Sequence, residues 1–260
     1  MKYYLLVLSC LFFSINLIAQ DQLHIPPETD ARLYDIAEAP SPARIEQDIR
    51  QLVGFGTRNT LSDTVSTTRG IGAARRWIHA EFEKISAACG GCLEVSYQYH
   101  LVPAEGNRRI PEDTYVVNVV AIQKGKQNPN RYVIMSGDID SRISSPTDAT
   151  GDSPGANDNA SGIAGTLEAA RVLTKYSFPN SVVYAALSGE EQGLFGGKGM
   201  AEQAKKDGWD IIGILNNDMI GNIHGIDGVI DNTTFRVFSE PTPITDNESC
   251  LLYTSDAADE

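Results

Sequence analysis

The feature that most restricts the fold is an alternation of short β-branched runs with longer segments of helical periodicity. Leu93, Val95, Tyr97, Tyr99 and Leu101 fall at every second position, the pattern of a half-exposed strand. Tyr115 to Ile122 and Tyr132 to Met135 are continuous apolar or β-branched runs. The chain then reads as a helix over Asn159 to Lys175, with Ile163, Leu167 and Ala170 in register. A buried strand over Ser181 to Leu187, a helix over Gln192 to Lys206 and a strand over Ile211 to Leu215 follow. Two helices come earlier. Ser41-Pro42 has the form of an N-cap followed by proline in the first turn, with Ile45, Ile49 and Leu52 on one face. Gly70 to Ala88 places Ile71, Ala74, Ile78, Phe82 and Ile85 on one side. After an initial antiparallel pair, this alternation predicts an α/β fold: a mostly parallel central β-sheet flanked by helices on both faces. There is no internal repeat and no second domain.

Both ends of the 260 residues read differently from this core. Met1-Lys2 precedes an apolar run from Tyr3 to Ala19 that ends on a small residue, the layout of a secretory signal peptide cut before Gln20. The run is short and interrupted for a membrane anchor, so stable insertion after cleavage is not expected. Residues 20–40 are polar and Pro-rich, a lead-in. At the other end, Cys250 to Glu260 is unrelated to what precedes it and resembles the translation of a sequencing adapter. The expected folded body is therefore 41–249, ending short of its natural length. The protein is expected to be exported, to the periplasm or the extracellular space. Its net charge of −13, from 21 basic and 34 acidic residues, argues against nucleic acid as a partner. Trimming both ends removes one base and three acids and leaves that sign unchanged.

Of four cysteines, Cys10 lies in the leader and Cys250 in the tail. Cys89 and Cys92 close a helix and precede a strand. A redox-active pair would open a helix instead, and no second ligand pair is near to make a zinc knuckle. The plain reading is a local structural disulfide.

The chemistry sits just after the predicted strands. Ser136-Gly-Asp138-Ile-Asp140-Ser141 follows one, Gly189-Glu190-Glu191-Gln192-Gly193 the next, and Asn216-Asn217-Asp218 the last. A fourth group, Gly155-Ala-Asn-Asp158-Asn-Ala-Ser-Gly162, opens a helix. Ligand sites of open α/β sheets lie beyond the carboxyl ends of the strands. Any one cluster could be a helix cap or a solvated loop. Four converging there would repel one another unless cations neutralised them, and two-metal hydrolytic centres are built in this way.

Gly-Ala-Asn-Asp-Asn-Ala-Ser-Gly and Gly-Glu-Glu-Gln-Gly-Leu-Phe-Gly, in this order and with intervals of 20 residues from Asp138 to Asp158 and 27 from Glu191 to Asp218, resemble the M28 family of zinc aminopeptidases and related metallopeptidases. The resemblance runs from about Ser41 to Asn222. It implies an exopeptidase of aminopeptidase type, acting on peptides or proteins with two Zn2+ ions. Asp158 would bridge the ions, Glu191 would bind one, and Asp138 with Asp218 the other. Glu190 would be the general base, and Asp140 a carboxylate orienting the ligand at 138.

Two departures qualify this. The family usually has histidine where this chain has Asp138. A site liganded by oxygen alone is a weaker Lewis acid, more open to manganese, magnesium or calcium. The family's last ligand, a histidine sharing the ion of Glu191, falls beyond Ser249, and none of His24, His79, His100 and His224 fits its place. The chain as it stands is therefore expected to be inactive and a longer parent active. Two other classes stay open: a catalytically silent binding relative, and a carboxypeptidase or aminoacyl cyclotransferase on a related fold.

Overall fold

The computed structural model describes residues 30–238. The expected signal peptide (1–19) and adapter-like tail (250–260) lie outside the described residues, as do parts of the lead-in and of the last segment. The chain divides into two units, Met1–Glu38 and Ala39–Glu260. In the first, within the lead-in, α1 spans Ala31–Glu38. Its start is set by Asp30, whose carboxylate accepts the Arg32 N–H at 3.0 Å and so replaces a helical partner.

In the second unit α2 spans Pro42–Val53, with Ser41 as the expected N-cap, its hydroxyl accepting the Arg44 N–H. α3 covers Gly70–Ala88 and ends at Cys89, which is disulfide-bonded to Cys92 ahead of β1, Leu93–Val102. β2 is Thr114–Gln123 and β3 is Asn128–Asp138. A π-type turn, Ala156–Ser161, leads into α4, Gly162–Leu173. β4 (Asn180–Leu187), the single turn α5 (Glu190–Gly193), α6 (Phe195–Asp207) and β5 (Asp210–Asn216) complete the order.

The five strands form one sheet in the order β1-β2-β4-β3-β5. β1 and β2 pair antiparallel, as do β2 and β4, whereas β3 pairs parallel with both β4 and β5. Every strand but β2 thus points the same way, although only two of the four ladders are parallel. Period-two alternation builds a core on each face. Val119, Ala121, Tyr184 and Ala186 pack on one side against Leu52 of α2, Ile78 and Phe82 of α3, and Ile163 and Leu167 of α4. Val120, Val183 and Ala185 face the other side, with Ile134, Tyr132 and Met200 of α6.

Two expected helices are corrected at their starts. The helix read from Asn159 begins at Gly162, because Asp158 and Asn159 are not helical and the Asn159 side chain accepts the Gly162 N–H at 3.0 Å, as a cap does. The helix read over Gln192 to Lys206 is two pieces broken at Leu194, which sits in the left-handed region at φ 62°. The expected strand from Tyr132 extends at both ends, which makes Asp138 its last residue.

Candidate metal centre

The ladder registers decide where the acidic groups meet. Asp138 lies opposite Leu187 of β4, three residues before Glu190. Ser136 lies opposite Asn216 of β5, so Asp138 and Asp218 leave the sheet at one level. β3 lies between β4 and β5, and the motif loops of these three parallel strands therefore emerge side by side at their carboxyl ends. The Asp158 turn is drawn to the same place by close backbone approach. A Cβ on Gly137 would lie 2.7 Å from the Gly162 carbonyl carbon, and one on Gly162 would lie 2.1 Å from the Asn217 carbonyl oxygen. Only glycine at these two positions lets α4 start against β3 and the loop after β5.

Hydrogen bonds lock the loops together. Asn159 donates to the Asn217 carbonyl at 2.9 Å and accepts from the Met219 N–H at 3.3 Å. Asn157 accepts the Gly221 N–H at 2.9 Å, and Ser161 the Ile220 N–H at 3.1 Å. Arg58 ties the other two loops. It is 1 % exposed, and its guanidinium donates to the carbonyls of Ile139, Leu52, Pro154 and Gly155 at 2.8 to 3.1 Å. Burial lowers its pKa to about 10, against the pull of the Asp140 and Asp158 charges. Sequence reading missed Arg58, since a donor to backbone carbonyls leaves no motif. Asn159 stood inside a quoted motif, and its capping position was the available signal.

Asp140, 1 % exposed, holds the turn that carries Glu190 and Glu191. Its carboxylate accepts the Glu190 N–H at 3.2 Å, the Glu191 N–H at 3.1 Å and the Thr60 hydroxyl at 2.9 Å. The expectation that it orients residue 138 is not what its hydrogen bonds show. With aspartate at 138 in place of histidine there is no ring N–H for Asp140 to accept. Asp138 instead accepts from Asn159 at 3.4 Å.

The carboxylates feel one another. Burial, then the charges of Asp140, Glu190 and Asp218, push Asp138 up to about 8. Burial and the charges of Asp140, Glu191, Asp218 and Asp158 push Glu190 up to about 7. Asp218 is raised by burial and by Asp158, and Glu191 by burial, opposed by its ion pair with Arg142. Among the described residues no three His, Cys, Asp or Glu side chains close around one point as a metal would require. The donor set nevertheless fits divalent cations in chemistry: five carboxylates (Asp138, Asp158, Glu190, Glu191 and Asp218) share one sheet edge, and their mutual repulsion is what a cation relieves. The described histidines stand elsewhere. His79 stacks on Tyr97, His100 lies 3.4 Å from the Asn118 amide, and His224 belongs to an isolated bridge with Ile230. His24 lies outside the described residues.

The likeness to known proteins runs through these elements. A "Probable zinc metalloprotease" of Pyrenophora tritici-repentis (strain Pt-1C-BFP) is 39 % identical over 222 residues, which are 85 % of this chain and 51 % of that protein. The chain thus spans about half the length of the curated relatives it matches. Among solved structures, LapB from Legionella pneumophila superposes with a TM-score of 0.60 at 22 % identity, over 76 % of this chain and 48 % of that one. An aminopeptidase from Aneurinibacillus sp. strain AM-1 gives 0.55 at 16 % identity, over 72 % of each chain. At such identities the two structures show the fold, that of a sheet flanked by helices. Residues 118–236 match Peptidase family M28 and include all the carboxylates of this centre, and together with the zinc metalloprotease relative aligned over 85 % of the chain this places the chain in that family.

Proposed function

We propose that this chain supplies the acidic part of the active centre of an exported, zinc-dependent exopeptidase of aminopeptidase type. One observation carries the reading: the register of β3 against β4 and β5 brings the Asp138, Glu190-Glu191 and Asp218 loops to one edge, beside the Asp158 turn. The name of the 39 % identical relative supports zinc and proteolysis.

In this reading Asp158, Glu191, Asp138 and Asp218 would hold the zinc. Zinc there would supply a Lewis acid that polarises the scissile carbonyl and eases deprotonation of the attacking water. Glu190, next in the chain to Glu191, takes the proton from that water and delivers it to the leaving amine nitrogen. A C–O bond forms and the peptide C–N bond breaks. Asp140 holds Glu190 by its backbone, so the base and the neighbouring ligand move as one turn. Turnover is assigned to a polypeptide of the relatives' length, since no described histidine reaches the centre, and this chain alone is expected to be inactive.

The test is hydrolysis of aminoacyl anilides with zinc present, by the polypeptide read from the continuous gene and by its Glu190→Gln variant. Turnover that falls roughly 10²- to 10⁴-fold with bound metal unchanged is the expected result. Undiminished turnover in the variant would remove Glu190 from the mechanism. Export is checked separately by sequencing the amino terminus of the mature protein, expected at Gln20.

A further inference from the structure

Glu191 is held at three points, two of them by arginines that sequence reading did not single out. Its backbone N–H donates to Asp140 at 3.1 Å. Its backbone carbonyl accepts from Arg109 Nη1, in the loop between β1 and β2, at 2.8 Å. Its Oε2 accepts from Arg142 Nε, in the loop that leaves β3 four residues after Asp138. Oε1 accepts no hydrogen bond among the described residues. The carboxylate is thus fixed through one oxygen and left with the other free, while its side chain is only 10 % exposed. Arg142 is also the one cation, among the described residues, that touches any of the five carboxylates at this edge. Arg58 reaches only backbone carbonyls.

We infer that Arg142 is a positioning residue that orients Glu191 to bind a divalent cation through Oε1, with Arg109 pinning the backbone of the same residue. This rests on the metal-centre reading above. Three physical points support it. Carboxylates that ligate metals are usually hydrogen-bonded by an outer partner, which selects the binding oxygen and restrains the rotamer. The planar guanidinium fork fixes direction, where the lysine ammonium supplies only charge. The charge of Arg142 also offsets that of one of the five carboxylates gathered there. The pair lies at the rim, with the Arg142 side chain 38 % exposed, so its removal leaves both cores untouched.

The test is zinc affinity of the whole chain, by competition with a chromogenic chelator, for wild type, Arg142→Gln, Arg142→Lys, Glu191→Gln and the Arg142→Gln/Glu191→Gln double variant. Melting of each metal-free protein is measured alongside. Arg142→Gln is expected to weaken zinc binding roughly 10- to 100-fold, the usual effect of losing an outer partner. Arg142→Lys should recover only part of that, the metal-free melting temperature should not move, and the loss should vanish in the Glu191→Gln background. Zinc binding as tight as wild type, or tighter, in Arg142→Gln overturns the inference and leaves the metal-centre reading standing. A loss that persists without Glu191 overturns it as well. A wild-type chain that binds no zinc overturns both.

Discussion

Arg58 carries a full charge into a place almost closed to water, and four backbone carbonyls are its partners. Buried carbonyls left without donors cost about 1–3 kcal/mol each, with partial relief from rearrangement. Arg58→Met is expected to lose about 3–5 kcal/mol and to lower the melting temperature by about 10 °C. Melting within about 2 °C of wild type would show that the Ile139 and Pro154 loops hold without it. At Asp138 the prediction concerns chemistry. Asp138→His removes one buried negative charge and supplies a nitrogen donor, so the ratio of zinc to manganese affinity should rise at least tenfold. An unchanged ratio in parallel titrations would exclude Asp138 as a ligand.

At the scale of elements, α4 is held at both ends by devices of different kinds. At its start, Gly162→Ala would place a methyl 2.1 Å from the Asn217 carbonyl oxygen and 2.5 Å from the Asn159 side chain. Neither has room to retreat without moving the Asp158 turn. A cost of about 1–3 kcal/mol and a weaker zinc affinity are expected together. Loss of stability alone would separate the helix start from the metal centre. Further along, Glu168 joins α4 to α2. It accepts from the Ser41 N–H at 2.7 Å and from Arg44, while Arg171 bridges to Asp48 and Glu81. Burial works against the Glu168 carboxylate, but the Arg44 and Ser41 hydrogen bonds outweigh it and hold its pKa below the usual value of 4.5. A depressed folded pKa means stability present above 4.5 and lost as pH falls through the lower folded value. Asp48 is raised by burial despite Arg171, so its contribution runs the other way. Glu168→Gln isolates the first effect. It should cost about 3 kcal/mol at pH 7, with the gap to wild type closing in melts taken well below pH 4.5. A gap independent of pH would mean the carboxylate charge is not what joins the helices.

At the scale of the molecule, the described surface is uneven. β5 is an edge strand whose Ile211 packs on one core while Ile212, Ile214 and Leu215 are exposed. The following segment adds Met219, Ile220, Ile223, Ile226, Val229, Ile230, Phe235, Val237 and Phe238. Exposed apolar edge strands are templates for association. The 260-residue chain is therefore expected to self-associate as its concentration rises in sedimentation velocity, and Ile212→Lys/Ile214→Lys to reduce this. A chain that stays monomeric up to about 100 μM, well inside the μM–mM range where such edges associate, would contradict the expectation. The curated relatives are about twice as long as the matched region. No helix among the described residues is long and apolar enough to cross a membrane.

Local pattern by itself determined α2, α3 and the cores of all five strands: alternation at two or near four residues reports which side of an element is buried, and short apolar or β-branched runs report strands buried on both faces. The same holds for Cys89–Cys92, whose partners are three residues apart, and for the acidic motifs, whose residue types are rare enough in such order to identify the family. Only the tertiary structure decided that β5 pairs with β3 and not with β4, which is what sets Asp218 level with Asp138. Strand order depends on which distant faces can be covered together, and no window of sequence contains both. It also decided that Asp140 serves Glu190 and Glu191, that Arg58 joins two loops and that Arg142 reaches Glu191. Those partners are backbone groups or side chains 49 to 97 residues away. Any residue offers a backbone carbonyl, so the choice among them is made by packing.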